Sequence, residues 1–320
     1  MAAVTGTDAV RRGSAPGRVG NIVFKGISTG AGITIVVLLG LVAAFLLYRS
    51  VPALTASVEE LADVGFMRGK SLLAYVAPLA FGTVLSSAIA LLIAVPLSIG
   101  IALFISHYAP RRLAQGLGYL IDLLAAIPSV VFGLWGIAFL MPLVGPFFQW
   151  LTDTMGWFPL FSGYVGPAKN ITTASIVLAV MIIPIITATT REVFLQTPRL
   201  HEEASLALGA TRWEMIRQAV LPFGRSGIIS AAMLGLGRAL GETMAVLMVL
   251  APGFAINFFI LQPGQHQSVA ANIANQFPEA SGLGADVLIA TGLFLFLLTF
   301  VVNLAARWVI NRRAEFSGAN

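Results

Sequence analysis

The chain has 320 residues, of which 58% are hydrophobic and only 10% charged, and its mean hydropathy is +0.89. Soluble domains carry about a quarter charged residues, so this chain has too few to coat a water-facing surface, and lipid must be its main solvent. The absence of cysteine excludes disulfides and thiol chemistry, and the net charge of +5 resides in short loops between apolar runs, which argues against nucleic acid as a partner.

The N-terminal segment is rich in Gly, Ala and Arg and lacks helical periodicity, so residues 1–30 are predicted to form a disordered cytoplasmic tail. An apolar run from Gly32 to Tyr48 follows. It is long for the apolar region of a signal peptide, and it ends in Tyr48-Arg49 rather than at a small-residue cleavage site. Residues 31–73 are therefore predicted to be a retained transmembrane helix and the outer loop after it.

Five further apolar runs can each supply the roughly 20 residues that a membrane-spanning helix needs. They are Leu72–Ile105, Leu117–Leu143, Ala174–Thr190, Gly227–Leu250 and Val287–Trp308. The first of these could reach about 50 Å at 1.5 Å per residue, so it must tilt, break or protrude, and Pro78 and Pro96 are plausible break points. The predicted fold is all-α, a polytopic membrane protein with about six transmembrane helices.

Basic residues predict the orientation of these helices, because cytoplasmic loops carry an excess of Lys and Arg. They are concentrated in the N-terminal tail, in the second and fourth loops, and at the C-terminus. Few lie on the opposite side: Arg49, Arg68, Lys70 and Lys169. Both termini are therefore predicted to be cytoplasmic, with residues 309–320 as a second tail.

The segment from Val144 to Thr172 is predicted to be an outer loop, and it is rich in aromatic residues. An aromatic belt at the membrane surface is the simpler interpretation of this composition. The alternative is a docking surface for an extracytoplasmic protein.

The fourth loop, residues 191–225, contains a short amphipathic helix. Thr197 is a suitable N-cap, Pro198 suits the first turn, and Gly209 can end the helix in a left-handed cap. One face of this helix is apolar, because its residues recur at spacings i, i+4, i+7 and i+8. This face comprises Leu200, Ala204, Ala207 and Leu208. The helix either rests on its own bundle or lies in a groove of another protein and transmits its motion.

A second helix is predicted directly afterwards. The segment from Thr211 to Glu214 fits a capping box, in which the first and fourth residues bond each other's backbone. Pro222 is expected to stop this helix ahead of the next membrane span.

This loop resembles the EAA loop of permeases in binding-protein-dependent ABC importers. The resemblance consists of Glu203-Ala204-Ser205, three residues, Gly209, nine residues, Ala219, one residue and Leu221-Pro222. Ser205 replaces the second Ala of the motif and Ala219 replaces its Ile. The resemblance covers about Ala74 to Arg307 and implies the type I importer permease fold, with a core over residues 74–308. It also implies that the loop forms a coupling helix on the ATPase subunit, through Glu202, Glu203, Ala204, Ser205, Leu208 and Gly209.

The run Gly227–Leu250 carries two charges within the membrane. Counted from Gly227 at 1.5 Å per residue, Arg238 lies about 17 Å along, near the middle of a core about 30 Å thick. A lone arginine there costs at least ~2.5 kcal/mol. Glu242 follows one turn later, so the two are predicted to pair on one face. The flanking Gly235, Gly237 and Gly241 would allow another helix to approach closely.

Two segments are similar to phosphate importer permeases of the PstC type. They are Arg238 to Val246 (RALGETMAV) and Ala126 to Gly136 (AIPSVVFGLWG). The residues after Thr243 distinguish this type from the partner permease PstA. The resemblance implies a bacterial inner-membrane complex with a PstA-like permease, two PstB-like ATPase subunits and a PstS-like phosphate-binding protein. It implies no cofactor and no enzymatic activity on this chain, with ATP and Mg bound by the partner ATPase.

The charged pair has two interpretations. One is an ion pair that fixes helix register, and the other is a substrate pathway formed by Arg238, Glu242 and Thr243. Charged residues inside a membrane are costly and usually functional, which favours the second interpretation. Arginine suits phosphate, because its planar fork makes two parallel charge-assisted hydrogen bonds. Glu242 is hypothesised to neutralise Arg238 when no anion is present, or to accept a hydrogen bond from a protonated phosphate oxygen.

Three alternatives remain beside phosphate import. A permease for sulfate or molybdate would share the same features, and an ATP-independent anion transporter would need only the charged pair. A membrane-embedded enzyme is disfavoured, because no catalytic or metal-ligand cluster is evident. The segment Arg68-Gly69-Lys70-Ser71 resembles the end of a P-loop, but Val64 occupies the place of its first Gly, so no nucleotide site is predicted.

Overall fold

The computed structural model describes residues 18–67 and 69–314, and within them it consists of helices and connecting segments without β-strands. Residues 1–17 of the predicted N-terminal tail, Arg68 of the P-loop-like segment and residues 315–320 of the predicted C-terminal tail lie outside the described residues. The α-helices are α1 (Arg18–Thr55), α2 (Val58–Ala62), α3 (Leu72–Leu103), α4 (Arg111–Ala125), α5 (Ser129–Trp135), α6 (Met141–Met155), α7 (Ile171–Leu195), α8 (Arg199–Ala207), α9 (Arg212–Met215), α10 (Leu221–Leu240), α11 (Met244–Val249), α12 (Val269–Gln276) and α13 (Leu283–Ala314).

Six helical stretches within the described residues are long and apolar enough to cross a membrane, which confirms the predicted number. They are Gly20–Thr55, Leu72–Tyr108, Ser129–Met155, Ile171–Leu195, Arg212–Leu240 and Leu283–Ala305. An even number of spans places both ends of the chain on one side, in agreement with the orientation that the basic residues predict.

The chain separates into two units, Met1–Tyr48 and Arg49–Asn320. In the first unit, α1 begins at Arg18, so residues 18–30 are helical where the sequence predicted an irregular tail. The first turns of α1 carry apolar side chains such as Ile22 and Phe24, which suit a lipid environment. Backbone N–H and C=O groups in lipid must form hydrogen bonds within a helix, so this segment is helical. No side chain from Gly20 to Tyr48 is buried.

In the second unit, α7 is the central helix of the core, and α3 and α10 pack along it. Helix α10 runs antiparallel to α7. A Cβ atom on Gly224 would lie 2.7 Å from a ring carbon of Phe194, whereas one on Gly235 would lie 2.6 Å from Cδ1 of Ile186. These two glycines therefore let the helices approach more closely than side chains would permit.

The prediction of breaks at Pro78 and Pro96 is wrong, because α3 is one helix of 32 residues through both. Helical irregularity occurs elsewhere, in three π-helical turns that each end two residues before a proline. These turns are Phe104–Tyr108, Gly136–Leu140 and Ile216–Val220. Before Pro142 and Pro222 the helix continues, and the widened turn accommodates the proline ring, which would clash with the carbonyl four residues earlier. Before Pro110 the helix ends instead, at Tyr108.

Pro222 illustrates this arrangement, and the expectation that it stops the second helix is wrong. The N–H of Leu221 donates to the carbonyl oxygen of Ile216, five residues earlier, and the helix continues through Pro222 into α10. Thus α9, the π-turn and α10 form one continuous span that begins in the fourth loop.

The predicted span Leu117–Leu143 is also wrong in its limits. Pro128 forces the residue before it away from helical geometry, so the apolar run divides into α4 and a span that starts at Ser129. This span continues to Met155, so the outer connection begins at Gly156 rather than at Val144. Hydrophobicity alone did not reveal the division, because both pieces are apolar.

Helix α12 lies against the outer half of α3, and Gly82 is the point of closest approach. A Cβ at Gly82 would overlap the carbonyl oxygen of Gln267. We expect Gly82→Ala to destabilise the protein by about 1–3 kcal/mol, because backbone atoms must move to admit the methyl group. The melting temperature of the purified protein measures this effect.

Gly100 provides the matched control, because it lies in the same helix with nothing within 4 Å of its Cβ position. Gly100→Ala is expected to leave the melting temperature unchanged or to raise it, since alanine favours helix by up to about 1 kcal/mol. Equal melting temperatures for the two variants would contradict the close packing of α12 on α3.

Candidate functional site

The predicted single span Gly227–Leu250 is broken in the structure. Helix α10 ends at Leu240, Gly241 follows in a helical cap conformation, and α11 begins at Met244 and lasts six residues. The chain then runs without regular helix to Ser268. The charged motif therefore lies at an interruption of a membrane helix, a place where transporters commonly hold their substrates.

Arg238 lies two residues before this break. Because α10 begins at Leu221, the count from Gly227 does not give its depth, but the packing does. Gly235 lies opposite Ile182 and Ile186, close to the midpoint of the 25-residue α7. Arg238 is three residues, about 4.5 Å, further along its helix. Its position near the middle of the membrane is thus supported by the antiparallel packing.

The predicted ion pair between Arg238 and Glu242 is not formed. Among the described residues, no carboxylate lies within 4 Å of the Arg238 guanidinium, which is only partly buried. Glu242 is 8% exposed, and its Oε1 accepts a hydrogen bond of 3.0 Å from the N–H of Ala245. The rule that residues i and i+4 share a face requires a continuous helix, and the break at Gly241 instead turns Glu242 to the start of α11.

Thr243 lies within the break, and its hydroxyl donates a hydrogen bond of 3.2 Å to the carbonyl oxygen of Gly241. It lines an apolar cavity of about 410 Å³ together with residues of α12 and α13. The three predicted pathway residues are therefore gathered at one interruption, but each has a different environment.

One face of α10 leads to this interruption without cover from the described residues. It is formed by exposed positions with mainly small side chains: Ser226, Ser230, Leu234, Gly237 and Gly241. A Cβ at Gly237 would meet nothing within 4 Å. Of the three glycines predicted to admit a neighbouring helix, Gly235 packs against α7, whereas Gly237 and Gly241 face this open side.

The segment from Ala126 to Gly136 supports the break from the opposite side. A Cβ at Gly133 would lie 3.1 Å from the Cα of Ala245, and one at Gly136 would lie 2.8 Å from Cγ1 of Val249. These glycines let α11 pack closely on α5. The two motifs that the sequence singled out are therefore in direct contact.

A buried polar network beyond the break was missed by the sequence analysis. The hydroxyl of Tyr75 donates to Oδ1 of Asn272 over 2.7 Å, and Nδ2 of Asn272 donates to Oε1 of Gln267 over 3.2 Å. The ring Nε2 of His266 donates to the carbonyl oxygen of Asn257, and burial lowers the pKa of this histidine. The Pro-Gly pairs at residues 252–253 and 263–264 were the available signals of a folded-back segment.

The short helix predicted in the fourth loop is present as α8, but its N-terminus differs from the prediction. Pro198 is the N-cap, and the hydroxyl of Thr197 is buried without a hydrogen-bond partner among the described residues. The N–H of Thr197 donates to the carbonyl oxygen of Phe194, so Thr197 belongs to the last turn of α7 instead. The proposed capping role of Thr197 is therefore wrong.

The predicted end of α8 is confirmed. Gly209 has φ of +84°, its N–H donates to Leu206, and the N–H of Ala210 donates to Ser205. This is the double hydrogen-bond pattern of a left-handed glycine cap. The capping box between Thr211 and Glu214 is also confirmed, with both reciprocal bonds formed.

Polar residues attach α8 to its own bundle. Glu202 Oε1 lies 3.5 Å from Nε2 of His107 at the cytoplasmic end of the second span, and Ser205 donates to Gln218 over 3.3 Å. The apolar face is turned away, with Leu200 75% exposed and Leu208 90% exposed. The helix thus does not rest on its bundle through its apolar side.

Comparison with known proteins agrees with these features. Residues 94–315 match the family described as "Binding-protein-dependent transport system inner membrane component". The chain is 47% identical over 300 residues to the "Phosphate transport system permease protein PstC 2" of Mycobacterium tuberculosis, covering 91% of this chain and 92% of the relative. It is 39% identical to the "Phosphate transport system permease protein PstC" of Mesorhizobium japonicum, covering 93% and 92%.

Solved structures share the fold at low sequence identity. A chain of a bacterial ABC transporter involved in alginate import superposes with a TM-score of 0.58 at 15% identity, covering 92% of this chain and 99% of that chain. A chain of the MetNI methionine ABC transporter superposes with a TM-score of 0.53 at 16% identity, covering 75% and 95%. The chain therefore belongs to the family of binding-protein-dependent inner-membrane transport components, as a permease subunit that works with a separate ATPase and a binding protein.

Proposed function

We propose that this chain is one of two transmembrane subunits of an ATP-driven importer of inorganic phosphate, and that Arg238 contacts the anion within the membrane. The observation that carries the proposal is the free guanidinium near the middle of the bilayer. The similarity to PstC phosphate permeases supports phosphate as the anion.

The cost of an unpaired arginine in hydrocarbon, at least ~2.5 kcal/mol, calls for a partner of opposite charge. Since no described residue provides one, a transported anion is the natural partner. A phosphate can accept two parallel hydrogen bonds from the planar guanidinium, which a chloride ion cannot do. The open face of α10 beside Gly237 and Gly241 is where a PstA-like permease would complete the passage.

The role of Glu242 follows from its hydrogen bond. Glu242 forms no ion pair with Arg238, and its Oε1 accepts from the N–H of Ala245, so Arg238 is available to an anion. Glu242 Oε1 is occupied, and its second oxygen can accept a hydrogen bond from a protonated phosphate oxygen. Thr243, at the same interruption, would contribute a hydroxyl to the pathway.

Energy input is proposed to enter through α8. Its exposed apolar face suits a groove on a PstB-like ATPase, which binds ATP and Mg, and Glu203, Ala204 and Gly209 lie on the same exposed element. The bonds from Glu202 to His107 and from Ser205 to Gln218 would transmit the motion of α8 to two membrane spans. On the outer side, a PstS-like protein would deliver phosphate.

Reconstitution of the complete complex tests the function. The four-component complex is placed in liposomes, and phosphate uptake and ATP hydrolysis are measured with the binding protein supplied outside. We expect uptake that requires ATP and hydrolysis that phosphate stimulates. Stimulation by sulfate or molybdate instead would identify another oxyanion as the substrate, and uptake without ATP would contradict an ABC importer.

A further inference from the structure

We propose that a small cavity beside the start of α7 is an entry site for a tetrahedral oxyanion, on the route to Arg238. This proposal rests on the proposed function for the direction of transport. The cavity has a volume of about 250 Å³ and is lined by three polar side chains, Lys169, Gln267 and Asn275. The remaining lining is apolar and contains no carboxylate: Val246, Leu247, Leu250, Ala251, Pro252 and Ala271.

Gln267 provides a hydrogen-bond donor that the protein leaves unused. It is 3% exposed, and its Oε1 accepts from Asn272, which in turn accepts from the hydroxyl of Tyr75. This chain of bonds fixes the amide orientation, so Nε2 is the atom left for the cavity. Among the described residues Nε2 donates to no acceptor. A ligand oxygen in the cavity could therefore accept a hydrogen bond from it.

Lys169 supplies a positive charge at the same place. Lys169 is partly buried, and its ammonium group forms no ion pair among the described residues. Lys70 differs, because its Nζ lies 5.5 Å from the centre of the Phe254 ring. The carbonyl oxygen of Lys169 accepts a hydrogen bond from Ala251, which holds this residue at the cavity wall.

Two helix N-termini strengthen the positive potential. Lys169 immediately precedes Asn170, the N-cap of α7, and Gln267 immediately precedes Ser268, the N-cap of α12. The positive end of a helix dipole favours an anion within about one turn. The cavity therefore combines a lysine, an unpaired amide donor and two helix starts with the C-terminal end of α11, and its wall contains no acidic group.

The location fits an entry site. Helix α11 and its C-cap residue form one wall through Val246, Leu247 and Leu250, and Glu242 accepts a hydrogen bond from the first turn of the same helix. Six residues of helix span about 9 Å, so the cavity and the break lie at opposite ends of one short helix. A larger outer groove of about 1080 Å³ is lined by Glu60, Asp63 and Glu279 and would repel an oxyanion. The cationic cavity is thus the favourable place for phosphate on this side.

Cysteine labelling tests the site without relying on transport. The chain has no cysteine, so Asn275→Cys introduces a single thiol at the cavity wall. The thiol is labelled in the complete complex with a negatively charged methanethiosulfonate, and the mass of this chain reports the rate. We expect millimolar phosphate to slow labelling at least threefold. Adding Lys169→Gln should abolish this protection and slow labelling by the anionic reagent.

Lys70→Gln is the matched control, because it removes an outer positive charge that does not line the cavity. It is expected to preserve both the labelling rate and the protection. A phospholipid headgroup shares the chemistry of phosphate, so labelling is compared in lipid nanodiscs and in phospholipid-free detergent. Protection by phosphate in both media supports a free-anion site, whereas protection confined to detergent would assign the cavity to a lipid headgroup and overturn the proposal.

The two proposals fail separately. If the complex imports phosphate but neither phosphate nor sulfate slows labelling of the Asn275→Cys thiol, the entry site is wrong and the proposed function stands. If the complex imports no phosphate, the proposed function is wrong whatever the labelling shows. When both hold, Lys169→Gln is expected to lower uptake several-fold at limiting substrate and to leave ATPase assembly intact.

Discussion

Arg238→Ala is expected to reduce phosphate uptake by the reconstituted complex at least tenfold. Hydrogen bonds to charged groups contribute about 1.5–3 kcal/mol each, and 1.4 kcal/mol corresponds to a factor of ten. Arg238→Lys keeps the charge but loses the planar fork, so its uptake should fall between wild type and alanine. Initial rates of labelled phosphate uptake into liposomes measure all three proteins.

Stability separates this role from a structural one. Because the guanidinium has no carboxylate partner among the described residues, Arg238→Ala should leave the melting temperature unchanged or raise it. A structural ion pair predicts the reverse, since breaking it leaves a buried charge. Arg225→Gln, at an exposed position near the cytoplasmic end of α10, removes the same charge away from the break and should transport normally. Wild-type uptake by Arg238→Ala would exclude the proposed contact.

Leu208→Asp is expected to weaken association with the ATPase subunit at least tenfold. Leu208 is 90% exposed at the end of α8, and burial of a leucine side chain stabilises an interface by about 1.5–3 kcal/mol. An aspartate in the same groove would also lose its hydration. Retention of the ATPase during purification of the tagged permease measures the effect, and phosphate-stimulated ATP hydrolysis should fall with it.

Leu113→Asp provides the matched substitution. Leu113 is 46% exposed on α4, outside α8, so the same change there should retain the ATPase. Leu208→Ala keeps an apolar side chain and should give an intermediate loss. If Leu208→Asp and Leu113→Asp retained equal amounts of ATPase, α8 would not be the docking element.

The features that were predicted correctly depend on composition or on neighbouring residues. Few charges and long apolar runs predict the six spans, since lipid admits only internally bonded helices. The left-handed cap at Gly209 and the capping box at Thr211 involve bonds over three to five residues, so local sequence determines them. The apolar face of α8 follows in the same way from helical spacing.

The errors arose where a local rule was used to decide whether a helix continues or breaks. Pro78 and Pro96 do not break α3, and Pro222 is accommodated by a π-turn. The charged motif gave the opposite error, because a break at Gly241 separates Arg238 from Glu242. A glycine or proline inside a helix costs about 1–3 kcal/mol of helix stability, and the free energy gained by packing a whole helix can exceed this cost.

The sequence by itself determined that lipid is the main solvent of this protein, how many spans it has and which motifs mark its family, because these depend on hydrophobicity and short spacing. The tertiary structure decided which charges are paired and where a cavity opens. Tyr75 and Asn272, for example, are 197 residues apart but bond each other and orient the amide of Gln267. Such contacts form only when distant helices pack, so no local pattern encodes them.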